Sequence, residues 1–133
     1  MQVAGTGNVR EFERIIQEDP SKLNITNAAG LCAVHNAAAR NRTGILALIR
    51  EYNEGSWIIF IKNFVCQWLF LDLNLPDVND WTALHHAARN SALNAIEYLL
   101  DHNVDDTLLN KQQEAPIHLT VIHNQLNALK VYV

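Results

Sequence analysis

Apolar positions recur along this chain in short stripes three residues apart, separated by polar turns, which is the pattern of amphipathic helices. The clearest stripes are Leu46 and Ile49, Ile96 and Leu99, and Leu129 and Tyr132. Each pair lies eleven and fourteen residues after a histidine, His35, His85 or His118. Two and three positions after those histidines come Ala37 and Ala38, Ala87 and Ala88, and Thr120 and Val121. Mostly small side chains there let a short first helix press against its neighbours. Six positions on come Asn41, Ser91 and Asn124, which suit a helix end where the backbone turns left-handed. The spacing therefore predicts units of helix, turn, helix and loop, none of which buries its apolar face alone.

His85 and His118 are 33 residues apart, whereas His35 and His85 are 50 apart, the same step plus seventeen. The same ruler finds an earlier unit without its histidine, with Gly7 in the sixth place and Phe12 and Ile15 in the eleventh and fourteenth. Val9 to Glu18 is thus expected to be the second helix of a unit whose first helix is missing. Val133 falls inside a second helix that has barely completed two turns. Neither end resembles a polar capping unit, so the expectation is a piece of a longer array, truncated at both ends. The expected organisation is a partial unit at 1–26, a unit at 27–55, an insertion at 56–71, a unit at 72–109 and a partial unit at 110–133. The fold class is all-α, a helix-turn-helix solenoid of about three to four units with an apolar insertion. At the turn before each histidine, Gly30, Asp80 and Gln113 hold the place where positive φ is expected, which suits Gly best and Gln least. Thr82 alone keeps a hydroxyl able to tie that turn to the histidine, so the corners with Cys32 and Ala115 are expected to be looser.

The surplus, Ser56 to Leu71, is the most apolar stretch of the chain. It falls short of the roughly 20 apolar residues of a membrane span and is interrupted by Lys62, Asn63 and Gln67. A helix or hairpin plugging onto the array and an exposed apolar binding element are alternatives. The account that fits best is a translated intron or mispredicted exon, because the flanks continue the repeat as though nothing lay between them.

Composition narrows the function. With 49% hydrophobic and 18% charged residues the chain is an ordinary globular mixture, and a net charge of −4 without a basic cluster excludes an electrostatic nucleic-acid binder. Two cysteines, Cys32 and Cys66, form no framework and no Cys-x-x-Cys site, and neither has a sequence neighbour pointing to an activated thiolate. The two glycosylation-type triplets, beginning at Asn24 and Asn41, are matches expected by chance, and there is no secretory signal pattern.

The motif histidines His35, His85 and His118, with Gly30 and Thr82, read as turn-bonding structural residues. Adjacent His85 and His86 point apart, and His118 and His123 are poorly spaced for one helix face, so no metal, cofactor or catalysis is expected. The acidic pairs Glu11/Glu13 and Asp105/Asp106 read as solvated. Candidate partner contacts are turn residues: Asn27 and Ala28, Asp77, Asn79, Asp80 and Trp81, and Asn110 to Gln113 with Lys111 and Gln112 among them. Trp81 is either a contact anchor or a cover for the neighbouring loop, and cover is preferred.

The 33-residue period, with Thr82-Ala83-Leu84-His85 and Ala115-Pro116-Ile117-His118, resembles the ankyrin repeat. Beyond that, Leu109-Asn110-Lys111-Gln112-Gln113-Glu114-Ala115-Pro116-Ile117-His118-Leu119 resembles a segment in the amino-terminal ankyrin array of ankyrin-type transient receptor potential (TRPA) cation channels, notably arthropod ones. So do Asp19 to Leu23, Ala37 to Arg42 with Ile45 and Leu46, and Ala92 to Leu100, in the same order. They cover nearly the whole chain outside 56–71, and the insertion is a departure from that family's spacing. The resemblance implies a cytosolic stretch of a homotetrameric, non-selective cation channel opened by noxious chemicals or temperature, on the cytoplasmic face of the plasma membrane. Its pore and sensing cysteines would lie elsewhere, since neither Cys32 nor Cys66 matches one. The implied partners are neighbouring ankyrin repeats of the parent chain and other proteins met by loop tips and concave face. A soluble ankyrin adaptor fits the same repeat physics.

Overall fold

A computed structural model describes residues 3–19, 22–23, 25–54, 73–123 and 125–132. Among these residues there are eight helices and no strand: α1 (Val3–Thr6), α2 (Val9–Glu18), α3 (Ala33–Ala39), α4 (Thr43–Glu54), α5 (Ala83–Arg89), α6 (Leu93–Asp101), α7 (Pro116–Ile122) and α8 (Leu126–Tyr132). Helices of seven residues are marginal in isolation, so packing and end-capping hold them. Asn8 Oδ1 caps α2 by accepting from Glu11 N–H at 3.2 Å. Pro116 opens α7 at a position where its missing N–H has no intrahelical partner to lose.

The helices form two layers. The inner layer runs α1, α3, α5, α7, each packed on the next, and the outer layer runs α2, α4, α6, α8 in the same way. Ala37, Ala38, Ala87 and Ala88 are fully buried between inner helices, as their spacing predicts. The outer stripes Leu46 and Ile49, and Ile96 and Leu99, are likewise fully buried. Leu129 and Tyr132 are only half-buried. Phe12 is buried as predicted, while Ile16 takes the deeper place expected of Ile15.

The first unit corrects one expectation. Its first helix is present, shortened to α1, and packs on α3. Ala4 stands in the register place of Ala38 and Ala88 and is fully buried like them. Gly7, at φ 75°, then turns the chain into α2 as Asn41 (φ 60°) and Ser91 (φ 53°) do in later units. Asn124 lies outside the described residues. Arg40 lies across Gly5, where a Cβ would stand 2.8 Å from its Cδ and would displace that side chain.

The units holding His35 and His85 are direct neighbours, despite the surplus between them in sequence. Helix α3 packs on α5, and α4 on α6. Asn41 Oδ1 reaches across that junction to accept from Ala95 N–H at 2.8 Å, in the first turn of α6. The expected insertion at 56–71, with Cys66, lies outside the described residues. Among the described residues no helix is long and apolar enough to cross a membrane.

Candidate interaction surface

The turns that precede the inner helices are built three times on one plan. Asn27, Asp77 and Asn110 each accept two backbone N–H bonds on Oδ1: from Ala29 and Leu31, from Asn79 and Trp81, and from Gln112 and Glu114, all at 2.8–3.0 Å. Such short side chains satisfy turn donors that would otherwise need water. Each turn then closes through a left-handed residue, Gly30 (φ 76°), Asp80 (φ 61°) or Gln113 (φ 63°). Successive tips are joined by one rung: Val78 N–H donates to Ala29 O, and Lys111 N–H to Asn79 O, both at 3.1 Å. Gly30 must lack a side chain, because a Cβ would stand 2.9 Å from Val78 N.

The motif histidines lock turn to helix. Nδ1 of His35, His85 and His118 accepts the backbone N–H of Cys32, Thr82 and Ala115 at 3.1, 3.1 and 2.8 Å. A backbone N–H only donates, so Nδ1 is the acceptor and the ring proton sits on Nε2. Nε2 of His35 donates to Leu75 O at 2.7 Å, and Nε2 of His85 to Glu114 O at 3.0 Å, each in the following unit. Burial holds both imidazoles below the usual histidine pKa, so they are neutral at pH 7. The Thr82 hydroxyl adds a contact to His85 Nδ1 at 2.8 Å, and Cys32 Sγ lies 3.2 Å from His35 Nδ1. The corners expected to be looser thus keep the same backbone tie, which needs no hydroxyl.

The Cys32–His35 pair escaped the sequence because three-residue spacing at a helix start brings side chain three back onto the capping residue. Burial pushes the Cys32 thiol up, which makes it a poor nucleophile. His118 is exposed and caps only its own turn.

A second histidine organises the concave face formed by tips and inner helices. His86 Nε2 donates to Asp77 Oδ2 at 2.9 Å, and its ring packs edge-on against His35 at 5.6 Å. Burial lowers the His86 pKa against the raising effect of Asp77. Burial alone would raise the Asp77 carboxyl, but hydrogen bonds from Trp81 N–H, His86 and Asn79 N–H hold it below the ordinary range. Trp81 covers this pair: its ring lies 6.1 Å from His85 and 5.2 Å from His86, and Arg89 Cζ stacks 5.4 Å above it.

The sequence-predicted contact residues therefore divide. Asn27, Asn79, Asp80, Lys111 and Gln112 are exposed on the tips, whereas the Asp77 carboxylate and Asn110 are buried within turns. His86, weighed in the sequence only as a metal ligand and set aside, and Arg89, unremarked there, share Trp81's surface. Their signal was the helical spacing that places them on one face, one and four residues after His85. Glu11 pairs with Arg14 on the outer surface, and Asp105 is held by the Thr107 N–H and hydroxyl. Among the described residues no group of three or more His, Cys, Asp or Glu is placed to hold a metal.

Comparison with known proteins agrees with this architecture. The family model described as ankyrin repeats (3 copies) matches residues 56–131. Over 53 residues, 40% of the chain, there is 42% identity to transient receptor potential cation channel subfamily A member 1 of Drosophila melanogaster, corresponding to 4% of that protein. Over 86 residues, 65% of the chain, there is 28% identity to the poly(ADP-ribose) polymerase tankyrase of Caenorhabditis elegans, corresponding to 3% of it. The chain thus spans only a small fraction of the length of either relative.

Proposed function

The chain belongs to the ankyrin-repeat family, and we propose that it is a non-catalytic interaction and scaffold stretch in the cytosolic array of a TRPA-like non-selective cation channel. The observation that carries the array is the uncovered face of the last unit. Val121, Ile122 and Leu126 are 63%, 58% and 63% exposed, and His118 is exposed beside them. For two of them, His118 and Val121, the register counterparts His35 and His85, and Ala38 and Ala88, are buried. A further unit seated on α7 and α8 would cover these side chains and offer His118 Nε2 the carbonyl that Glu114 offers His85. The identity with the Drosophila channel supports the parent assignment. The pore would be homotetrameric and would lie outside this stretch.

Residues 56–71 are, on this reading, a translated intron. The support is that the tips on either side of the surplus are joined by the same rung, at the same register, as the tips of the uninterrupted pair.

Reading the full transcript tests both points. Further 33-residue units followed by six apolar spans are expected, with the surplus absent from the spliced message. A stop codon soon after the last unit would overturn the channel and leave a soluble adaptor. The tankyrase match supports only that similar repeats also occur in a protein that is not named as a channel. A spliced message encoding residues 56–71 would overturn the intron.

A further inference from the structure

The charges of this chain are segregated by layer. The inner helices α1, α3, α5 and α7 carry no Asp or Glu at all. The carboxylates Glu11, Glu13, Glu18, Glu51, Glu97 and Asp101 all stand on outer helices. The inner face instead carries Arg40, at the end of α3, and Arg89, at the end of α5, both exposed. Neither is paired with a carboxylate among the described residues. The closest acid on this side, Asp77, is buried and engaged by His86 and two backbone N–H groups. Asp80 and Glu114 belong to the turns, with Glu114 Oε2 taken by Asn110 Nδ2. A chain of net charge −4 thus presents two uncompensated guanidiniums on one face.

Geometry adds to charge. Arg89 Cζ sits over the Trp81 ring at 5.4 Å from its centroid, a contact that restricts its donors in advance and reduces the entropy lost when it binds. Arg40 lies across Gly5 of α1. Ala39 precedes Arg40 and holds on α3 the register place that Arg89 holds on α5, and its side chain is small. Adjacent helices pack about 8–10 Å apart, which sets the two guanidiniums roughly 10–20 Å from one another. Extended chain advances about 3.3 Å per residue, so three to six residues bridge that span.

We propose that this concave face binds an extended segment of another protein bearing two carboxylates three to six residues apart, one on Arg40 and one on Arg89 beside Trp81. Arg and Trp are the side chains that most often dominate such contacts. The proposal rests on the reading of the chain as an interaction module and specifies the chemistry of its partner.

The test uses the full 133-residue chain and four fluorescein-labelled peptides of Gly, Ser and Leu, each carrying two Glu three, four, five or six residues apart. Fluorescence anisotropy should find one spacing bound best, about tenfold more tightly than its Gln counterpart, and weakened by added salt. Arg40→Ala and Arg89→Ala should each weaken it by about tenfold, while Arg14→Ala on the outer face changes nothing. The Arg40→Glu/Arg89→Glu chain, checked for native helicity by circular dichroism, should instead prefer the Lys counterpart. Equal binding of Glu and Gln peptides, no binding of any of them at millimolar concentration, or indifference to both arginine variants would overturn the proposal. Equal binding would still leave an interaction module, and the transcript decides the array independently, so each reading fails separately.

Discussion

His85 Nε2 lies 3.0 Å from the carbonyl oxygen of Glu114, 29 residues further along the chain, and so links the first helix of one unit to the turn of the next. On its other side the same ring accepts from Thr82 N–H and touches the Thr82 hydroxyl. His85→Ala would orphan a buried donor and a buried acceptor and leave a cavity, at a cost of about 3 kcal/mol. His118→Ala removes an exposed ring with one turn bond and should cost about 1 kcal/mol or less. Urea midpoints of the two variants measure the difference. Equal losses would show that the link between units carries no stability.

Stability should fall as the solution is acidified below neutrality. The folded-state pKa values of His35, His85 and His86 are all lowered, with burial the leading cause. Unfolded histidine titrates near 6.5, so between the lowered values and about 6.5 the unfolded chain binds more protons. Their contribution is fully present above about pH 6.5 and is lost as pH drops through that value toward the folded ones. The contribution of Asp77, whose carboxyl is lowered, persists until pH falls below about 4. Urea midpoints from pH 8 to pH 5 should decline, and a flat profile would contradict the buried neutral imidazoles.

Asp77 offers an internal control, because Asn occupies its place in the other two turns. Asp77→Asn keeps an Oδ1 acceptor for the Asn79 and Trp81 N–H groups and should cost less than about 1 kcal/mol. Asp77→Ala abandons those donors and the His86 contact together and should cost about 2–3 kcal/mol. A thermal-melt series of the two variants distinguishes turn-holding from charge: similar losses would mean that the negative charge Asp77 offers His86 matters more than the turn.

The left-handed corners predict opposite signs for two glycine exchanges. Gln113 holds φ 63° against the preference of an L side chain, so Gln113→Gly should stabilise by up to about 1 kcal/mol, after Gly's larger unfolded-state entropy is deducted. Gly30→Ala combines φ 76° with a Cβ 2.9 Å from Val78 N and should destabilise by about 2 kcal/mol. Denaturant midpoints check both signs.

Much of the architecture was legible because it is periodic. The places six residues after His35 and His85, and five before each of the three motif histidines, took left-handed backbone whether filled by Asn, Ser, Gly, Asp or Gln. A unit imposes that conformation on whatever residue falls there, so register mattered more than residue type. The missed helix α1 is the converse case. It has no histidine, and four residues are too few for a periodic signal, yet Ala4 and Gly5 pack against the second unit well enough to order it.

The concave face was less legible for a different reason. Trp81, singled out as an anchor or as cover for the neighbouring loop, lies against the His85 and His86 rings of its own unit, with Arg89 over it. Asp77, expected to be a contact residue, turned inward because its turn N–H groups and His86 lie within reach.

By itself the sequence determined the unit, its 33-residue step, the buried alanines and stripes, and where the surplus falls, since local helix spacing and turn chemistry are written in consecutive residues. Only the tertiary structure decided which units touch across that surplus, which carbonyls His35 and His85 reach, and that Arg40 and Arg89 stand on the layer of helices that carries no carboxylate. Those outcomes depend on side chains tens of residues apart meeting between stacked units, and no local pattern specifies which partner comes within 3 Å.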